Sequence, residues 1–382
     1  MIYLDNSATT YPKPPMVINA VAKAMAMYSA NPGRGGHEAS VRAAGAVYDA
    51  RRNIADFFGM EEEENVIFTS NCTEALNTVI KGILRAGDHV VISSFEHNSV
   101  LRPIETLKER IGISYTVADV VSDDEETIDN FRKAIESRTR LIVCTHASNV
   151  LGIIPPVRRL CALAHNYGIL FCLDAAQSAG TLEIDMGEDG YDFVCCAGHK
   201  GLYGPMGTGL LLINCEEQLS TLKEGGTGSA SADPLMPDYL PDRLESGTLN
   251  VPGIVGLSAG VSFVRNKGLD RIYEHELRLI EKLYRELEDT PNIRLYTFEP
   301  VRGKTAPVLS FNIDGADSES VAKYLDERYH IAVRAGLHCS PLAHRAMGTI
   351  DGGTVRISPS LFSTTADIGV MIRALRRSSR TN

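Results

Sequence analysis

The chain has 382 residues, of which 44% are hydrophobic and 23% charged, and carries a formal net charge of −10. That length favours two domains over one small core, and the composition is ordinary for a globular protein. The acidic balance argues against a nucleic-acid or anionic-membrane partner, and no apolar run approaches the roughly 20 residues of a membrane span.

In chain order, Val66–Thr69 reads as a strand, followed by Ser70-Asn71-Cys72-Thr73-Glu74-Ala75-Leu76-Asn77, which opens a helix over 73–84. The strands His89–Ser93, Arg140–Thr145, Ile169–Leu173, Phe193–Cys196 and Gly209–Ile213 come next. Helical patterns over Ser99–Arg110 and Val157–Tyr167 lie between them. This alternation implies βαβ units and a mostly parallel sheet covered by helices. Ligands of such sheets bind at the carboxyl ends of the strands. The stretch Gly225–Ala232, followed by Pro234, Pro237 and Pro241, is expected to be a long loop. Beyond about Pro252 the pattern changes to a charged helix over Glu274–Glu288, a strand over Pro307–Ile313, a helix over Ser318–Tyr329 and a short strand over Val355–Ser358. The expected fold class is therefore α/β: a large domain (15–255) with a mostly parallel sheet flanked by helices, plus a smaller α+β domain (1–14 and 256–382). No internal repeat is visible.

Lys200, in Cys196-Ala197-Gly198-His199-Lys200, follows one strand, and Asp174, in Asp174-Ala175-Ala176-Gln177, follows its neighbour. Pyridoxal phosphate (PLP) chemistry needs this pair: a lysine to form the Schiff base, and an aspartate to keep the pyridine nitrogen protonated so that the ring takes up electrons. Each residue alone also reads as a surface lysine or a capping aspartate. The helix start at Cys72 and Thr73 offers free amides and a hydroxyl to a phosphate, or is an ordinary capped helix. His199 offers that phosphate a second polar group. His97 follows the strand His89–Ser93 and could stack on a cofactor ring, carry a proton near neutral pH, or be a plain loop residue. Asn149 and Gln177, each just beyond a strand, could bond a ring oxygen.

Most of the eight cysteines lie in apolar runs and read as small buried hydrophobes. None has metal-ligand spacing, so no metal site is expected. Cys339 differs, in the polar segment Arg334-Ala335-Gly336-Leu337-His338-Cys339-Ser340-Pro341. An exposed thiol near cationic groups is reactive; an incidental loop cysteine is the alternative. Arg356 carries the forked guanidinium that suits a substrate carboxylate, or forms a surface salt bridge. The start, Met1-Ile2-Tyr3-Leu4-Asp5, lacks the pattern of a signal peptide. With unpaired cysteines, this makes the cytoplasm the expected compartment.

Taken together these segments resemble the cysteine desulfurases, of the class V aminotransferase branch of fold type I PLP enzymes. The resemblance covers nearly the whole chain, in order. It runs from Tyr3-Leu4-Asp5-Asn6-Ser7-Ala8-Thr9-Thr10 and Gly33-Arg34-Gly35-Gly36-His37 through Thr73–Asn77, Glu96-His97, Ser148–Gly152 and Asp174–Gly180. It continues to Gly198-His199-Lys200, Glu245-Ser246-Gly247-Thr248 and Arg334–Cys339. The short arginine-to-cysteine segment is most similar to the SufS-like group II, which also contains selenocysteine lyases.

The resemblance implies PLP held by Lys200, Asp174, Gln177, Asn149, the stacking ring of His97, and phosphate contacts from Cys72, Thr73 and His199. It implies a homodimer in which Thr248 reaches the neighbouring subunit's cofactor phosphate. L-Cysteine would be held by Arg356 and Asn149, and Cys339 would take its sulfur as a persulfide, leaving L-alanine, for a sulfur-acceptor protein such as one in iron–sulfur cluster assembly. Catalysis would fall to Lys200, Cys339 and His97. L-Selenocysteine as substrate, or an aminotransferase or epimerase not using Cys339, are the alternatives. Two departures from the family pattern stand out. Ala197 replaces a usual serine, and Lys200-Gly201-Leu202-Tyr203-Gly204-Pro205 is one residue longer than usual.

Overall fold

The computed structural model describes residues 1–33 and 35–378. Arg34 of the Gly33–His37 motif and the last four residues of the expected smaller domain lie outside them. In chain order the first half contains β1 (Ile2–Tyr3), α1 (Pro15–Met27), α2 (Glu38–Phe57), β2 (Val66–Thr69), α3 (Cys72–Ile83), β3 (His89–Ser93), α4 (Asn98–Ile111), β4 (Ser114–Ala118), α5 (Asp124–Ala134), β5 (Thr139–Thr145), α6 (Val157–Asn166), β6 (Leu170–Asp174), α7 (Met186–Asp189), β7 (Phe193–Ala197) and β8 (Gly209–Ile213). The remainder contains α8 (Val251–Lys267), α9 (Leu269–Leu287), β9 (Ile293–Leu295), β10 (Leu309–Ile313), α10 (Ser318–Tyr329), β11 (Ile331–Ala332), β12 (Arg334–Gly336), α11 (Pro341–Met347), β13 (Thr354–Ile357) and α12 (Thr365–Ser378).

A seven-stranded sheet in the order β2-β8-β7-β6-β5-β3-β4 forms the centre. Its apolar strands are covered on both sides, and alternate residues enter opposite cores. Ile142, Leu173, Val194 and Leu212 face one core; Leu141, Val143, Cys172, Phe193 and Leu211 face the other. This explains why the strands read as continuous apolar runs rather than alternating ones. The sheet is parallel from β7 through β4, but β8 runs antiparallel to both β7 and β2. The chain returns from β7 to β8 through a short turn without a crossover helix, and a connection that short permits only an antiparallel neighbour.

A four-stranded sheet, β12-β13-β10-β9, packs with α9, α10 and α12 around Leu283, Phe311, Val355 and Met371. Leu4, near the N-terminus, is buried in that same core, because β1 pairs with β11. The boundary expected after residue 255 falls inside α8, whose Val251, Ile254, Leu257 and Val261 belong to the first core.

Helix α8 escapes sequence reading because it is apolar nearly all round and interrupted by Gly253, Gly256 and Gly260. Those glycines serve close approach. A Cβ on Gly260 would lie 2.2 Å from the Leu202 carbonyl oxygen, so the helix rests directly on the turn that follows Lys200.

The expected loop between β8 and α8 is present, and a buried ion pair fixes its end. Arg51 of α2 donates to both carboxylate oxygens of Glu245 at 2.9 and 2.7 Å, and the Phe68 amide of β2 donates to the same carboxylate at 2.6 Å. Breaking a buried pair strands the other charge, at a cost of about 3–5 kcal/mol. Glu245→Ala should therefore lower the urea midpoint and open residues 225–244 to protease. An unchanged midpoint would show that the pair does not hold the loop.

Candidate active site

The site lies at the carboxyl ends of β3, β5, β6 and β7, where a parallel sheet presents its loops. Asp174 is the last residue of β6. Lys200 stands three residues beyond β7, and Asn149 and His97 follow β5 and β3. Together with Cys72, Thr73, Gln177, Ala197 and His199 they line one cavity of about 530 Å³. The structure thus brings together eight of the residues singled out in the sequence. It keeps Thr248, Arg356 and Cys339 off that wall.

Asp174 is buried, and its Oδ1 accepts from the Ala176 amide at 2.9 Å and faces the Cys72 thiol at 3.5 Å. Burial raises the Asp174 carboxyl above its ordinary range, while the amide bond and Lys200 pull it down. Burial also lowers the Lys200 ammonium, with repulsion from Arg356 adding to the effect. A lysine pushed towards its neutral amine is a competent nucleophile.

The helix α3 that opens at Cys72 is capped by Asn71, whose side chain accepts from the Glu74 amide at 2.9 Å. Thr73 Oγ1 meets Ser99 Oγ at 2.8 Å, and Ser99 Oγ meets His97 Nδ1 at 2.8 Å. Ser99, not singled out in the sequence, joins the helix start to the histidine. Burial first, and then the positive charges of Lys200 and Arg334, hold His97 down at about 4. That depression favours the neutral ring over the imidazolium. His199 is likewise lowered to about 4, chiefly by burial, and its Nδ1 is buried without a partner.

Cys339 is the exposed cysteine of the chain. It follows β12 on left-handed backbone, with φ of 49° at His338 and 59° at Cys339. Consecutive non-glycine residues in that region are strained and persist only where the surroundings impose them. Here Asn149 Nδ2 donates to the His338 carbonyl at 2.8 Å, Ser340 Oγ donates to Asn149 Oδ1 at 2.7 Å, and the Asn98 amide donates to the Cys339 carbonyl at 2.7 Å. The thiol-bearing turn is thereby tied to one residue of the cavity wall and to the neighbour of another. Arg334 Nη2 approaches Cys339 Sγ at 3.8 Å. His338 does not supply the second cation expected from the sequence. It is buried, its Nε2 lies 3.0 Å from the Thr354 carbonyl, and burial and arginine repulsion hold it down at about 2.

Arg356 is buried behind Asn149, donating to the Asn149 carbonyl at 3.1 Å and to Asp5 Oδ1 at 2.9 Å. It is not the surface arginine of the alternative reading. Its Nε is buried and unpartnered. Thr248 is exposed and lies apart, beside Ser70, Glu74 and Lys223. Gly201, within the lengthened stretch after Lys200, packs against the loop after β6: a Cβ there would lie 2.4 Å from the Ala179 carbonyl oxygen.

Glu96 escaped assignment although it adjoins His97. Fully buried, it accepts from Ser93 Oγ and, at 2.7 Å, from the Thr145 amide, joining the ends of β3 and β5. Burial, followed by repulsion from Asp174, pushes it from 4.5 up to about 8.

A mixed sheet carrying a half-buried lysine and a buried aspartate at adjacent strand ends, with a helix start opposite, defines an enzyme of PLP fold type I. The aminotransferase class-V family model matches residues 2–371, and the chain belongs to that family. The chain is 36% identical, over 97% of its length and 92% of the relative's, to a probable cysteine desulfurase of Methanothermobacter thermautotrophicus. It is 34% identical to one of Mycolicibacterium paratuberculosis, of which it spans 55%. The apo structure of cysteine desulfurase from Thermococcus onnurineus NA1 superposes with a TM-score of 0.90 at 31% identity, covering 100% of this chain and 95% of that one.

The family's cofactor is PLP, and the residues present fit it. A carboxyl raised by burial, an unpartnered imidazole nitrogen, and a lysine in the same cavity suit a protonated pyridine, a phosphate and an aldehyde.

The elevated Glu96 group has a consequence for stability. Between 4.5 and about 8 the folded chain keeps a proton that the unfolded chain has released, so stability falls as pH rises through that window. Glu96→Gln should match the native protein below this range and exceed it above, by urea titration at both ends. A native advantage at high pH would mean that the carboxyl is ionised in the fold.

Proposed function

We propose that this protein is a PLP-dependent L-cysteine desulfurase. The observation that carries the reading is the single exposed cysteine, Cys339. It sits on strained backbone beside Arg334 and is tied by Asn149 to a cavity containing Lys200 and Asp174.

In this reading Lys200 would hold PLP, Asp174 would serve its ring nitrogen, His97 would stack on the ring, and Gln177 and Asn149 would serve its ring oxygen. Cys72, Thr73 and His199 hold the phosphate. The cofactor, when bound, supplies an electron sink for bonds broken at the substrate. Arg356, with Asn149, would orient the cysteine carboxylate, because its guanidinium keeps N–H donors that the Asn149 and Asp5 bonds do not use. Lys200, its ammonium lowered by desolvation, would move the proton at the substrate Cα. The Cys339 thiolate is the nucleophile. Its sulfur bonds to the substrate sulfur as the carbon–sulfur bond breaks. Enzyme thiol plus L-cysteine then give enzyme persulfide plus L-alanine, atom for atom and without an external oxidant.

Cys339→Ala should still bind PLP and L-cysteine but release no alanine, and mass spectrometry should find one added sulfur on the Cys339 peptide of the native protein only. Borohydride should fix the cofactor on Lys200 and on no other lysine. Alanine release at the native rate from Cys339→Ala would reject the desulfurase reading.

The finer reading is a homodimeric enzyme of the cytoplasm. It would consist of a cofactor-binding unit from residue 15 to the end of α8, with the first 14 residues joining the rest, and would pass sulfur to an acceptor protein, as in iron–sulfur cluster assembly. No helix among the described residues is long and apolar enough to cross a membrane. Thr248, exposed just beyond the residue that anchors the long loop, would meet a second copy in this reading. Sedimentation of the PLP-loaded protein should give a dimer, and Thr248→Ala should weaken PLP retention. A fully active monomer would reject the shared site.

A further inference from the structure

Four donors from the N-terminal segment converge on one carbonyl oxygen, that of His199, in the peptide unit preceding Lys200. The Thr10 amide lies 3.2 Å away, Thr9 Oγ1 and Thr10 Oγ1 each 3.1 Å, and Lys13 Nζ 2.7 Å. Lys13 Nζ also donates to Thr10 Oγ1 at 2.7 Å, and that hydroxyl lies 3.1 Å from the Lys200 carbonyl. A carbonyl has two lone pairs, so this one is saturated, and the charged donor makes the shortest and strongest bond to it.

Lys13 has no ion-pair partner among the described residues. An ammonium half withdrawn from water would ordinarily be paired with a carboxylate. This one is spent on a peptide oxygen, and burial lowers it to about 8. The peptide it grips sits between His199 and Lys200, two residues of the cavity wall. Rotation of that peptide would swing both side chains.

We propose that Lys13 is a positioning residue for the reaction: by holding the His199 carbonyl it fixes the peptide from which the Lys200 amine and the His199 ring project into the cofactor cavity. The proposal rests on the PLP reading above, and the test separates the two.

Lys13→Met removes the charge and the donor while keeping the length; Lys13→Arg keeps both. PLP affinity would be measured by equilibrium dialysis and the His199 ring followed by NMR in cofactor-free protein. The Lys13 charge depresses His199, so the ring should titrate at higher pH in Lys13→Met. The PLP dissociation constant should rise about tenfold, the weight of one charge-assisted bond. Lys13→Arg should bind PLP as the native protein does. Were Lys13→Met not to fold, Thr10→Val, which strips a second donor from the same carbonyl, should show a smaller weakening in the same direction. Native-like PLP affinity in the folded variant would overturn the positioning role and leave the cofactor reading intact. A native protein that takes up no PLP would overturn both.

Discussion

The site depends on the cost of burying charge. Asp174 and Lys200 stand at adjacent strand ends, the carboxyl buried and the lysine half-buried, with no salt bridge between them. Unpaired charges in such a medium shift towards neutrality, as both do here. A ligand that brings a ring cation to the carboxyl and an electrophile to the amine relieves both penalties at once. The rigid sheet makes this possible. Strands covered on both faces hold the two groups at fixed places on the cavity wall.

Around that centre, side chains act on one another through the backbone. Asn149 touches the cavity with its body, and its amide group braces the turn that presents Cys339. Arg356 braces the Asn149 carbonyl from behind. Strain at His338 and Cys339 is thus maintained by two strands and a loop far apart in sequence. The glycines at 180, 201 and 260 complete the arrangement by letting main chains touch where any side chain would force them apart.

Residues at strand ends were the legible part of the site, because apolar runs mark strands and strand ends mark ligands. Asp174, Lys200, Asn149 and His97 could be located on that ground. The roles of Ser99, Glu96 and Lys13 could not. Each depends on which atom meets which across elements, and the run Asp5–Thr10, though recognisable as a motif, has no periodicity to say where it lies. The protonation of His97 and His338 was hidden for the same reason, since burial sets it and sequence distance does not. In the fold, the parallel order was legible but the reversal of β8 was not, because a buried strand reads the same in either direction. Helix α8 was hidden by its even apolarity.

The N-terminal segment also carries a message about timing. Asn6 bonds the carbonyl of Ser358, 352 residues away. Asp5 holds Arg356, while Thr9, Thr10 and Lys13 grip the His199 peptide. The segment Asp5–Lys13 therefore waits for β13 and the residue after it before it finds its place. A nascent chain stalled after β8 would carry both Asp174 and Lys200, yet its leading segment would lack the strand that receives it. Cofactor capture in its final geometry therefore belongs after β13 has been made and has received that segment.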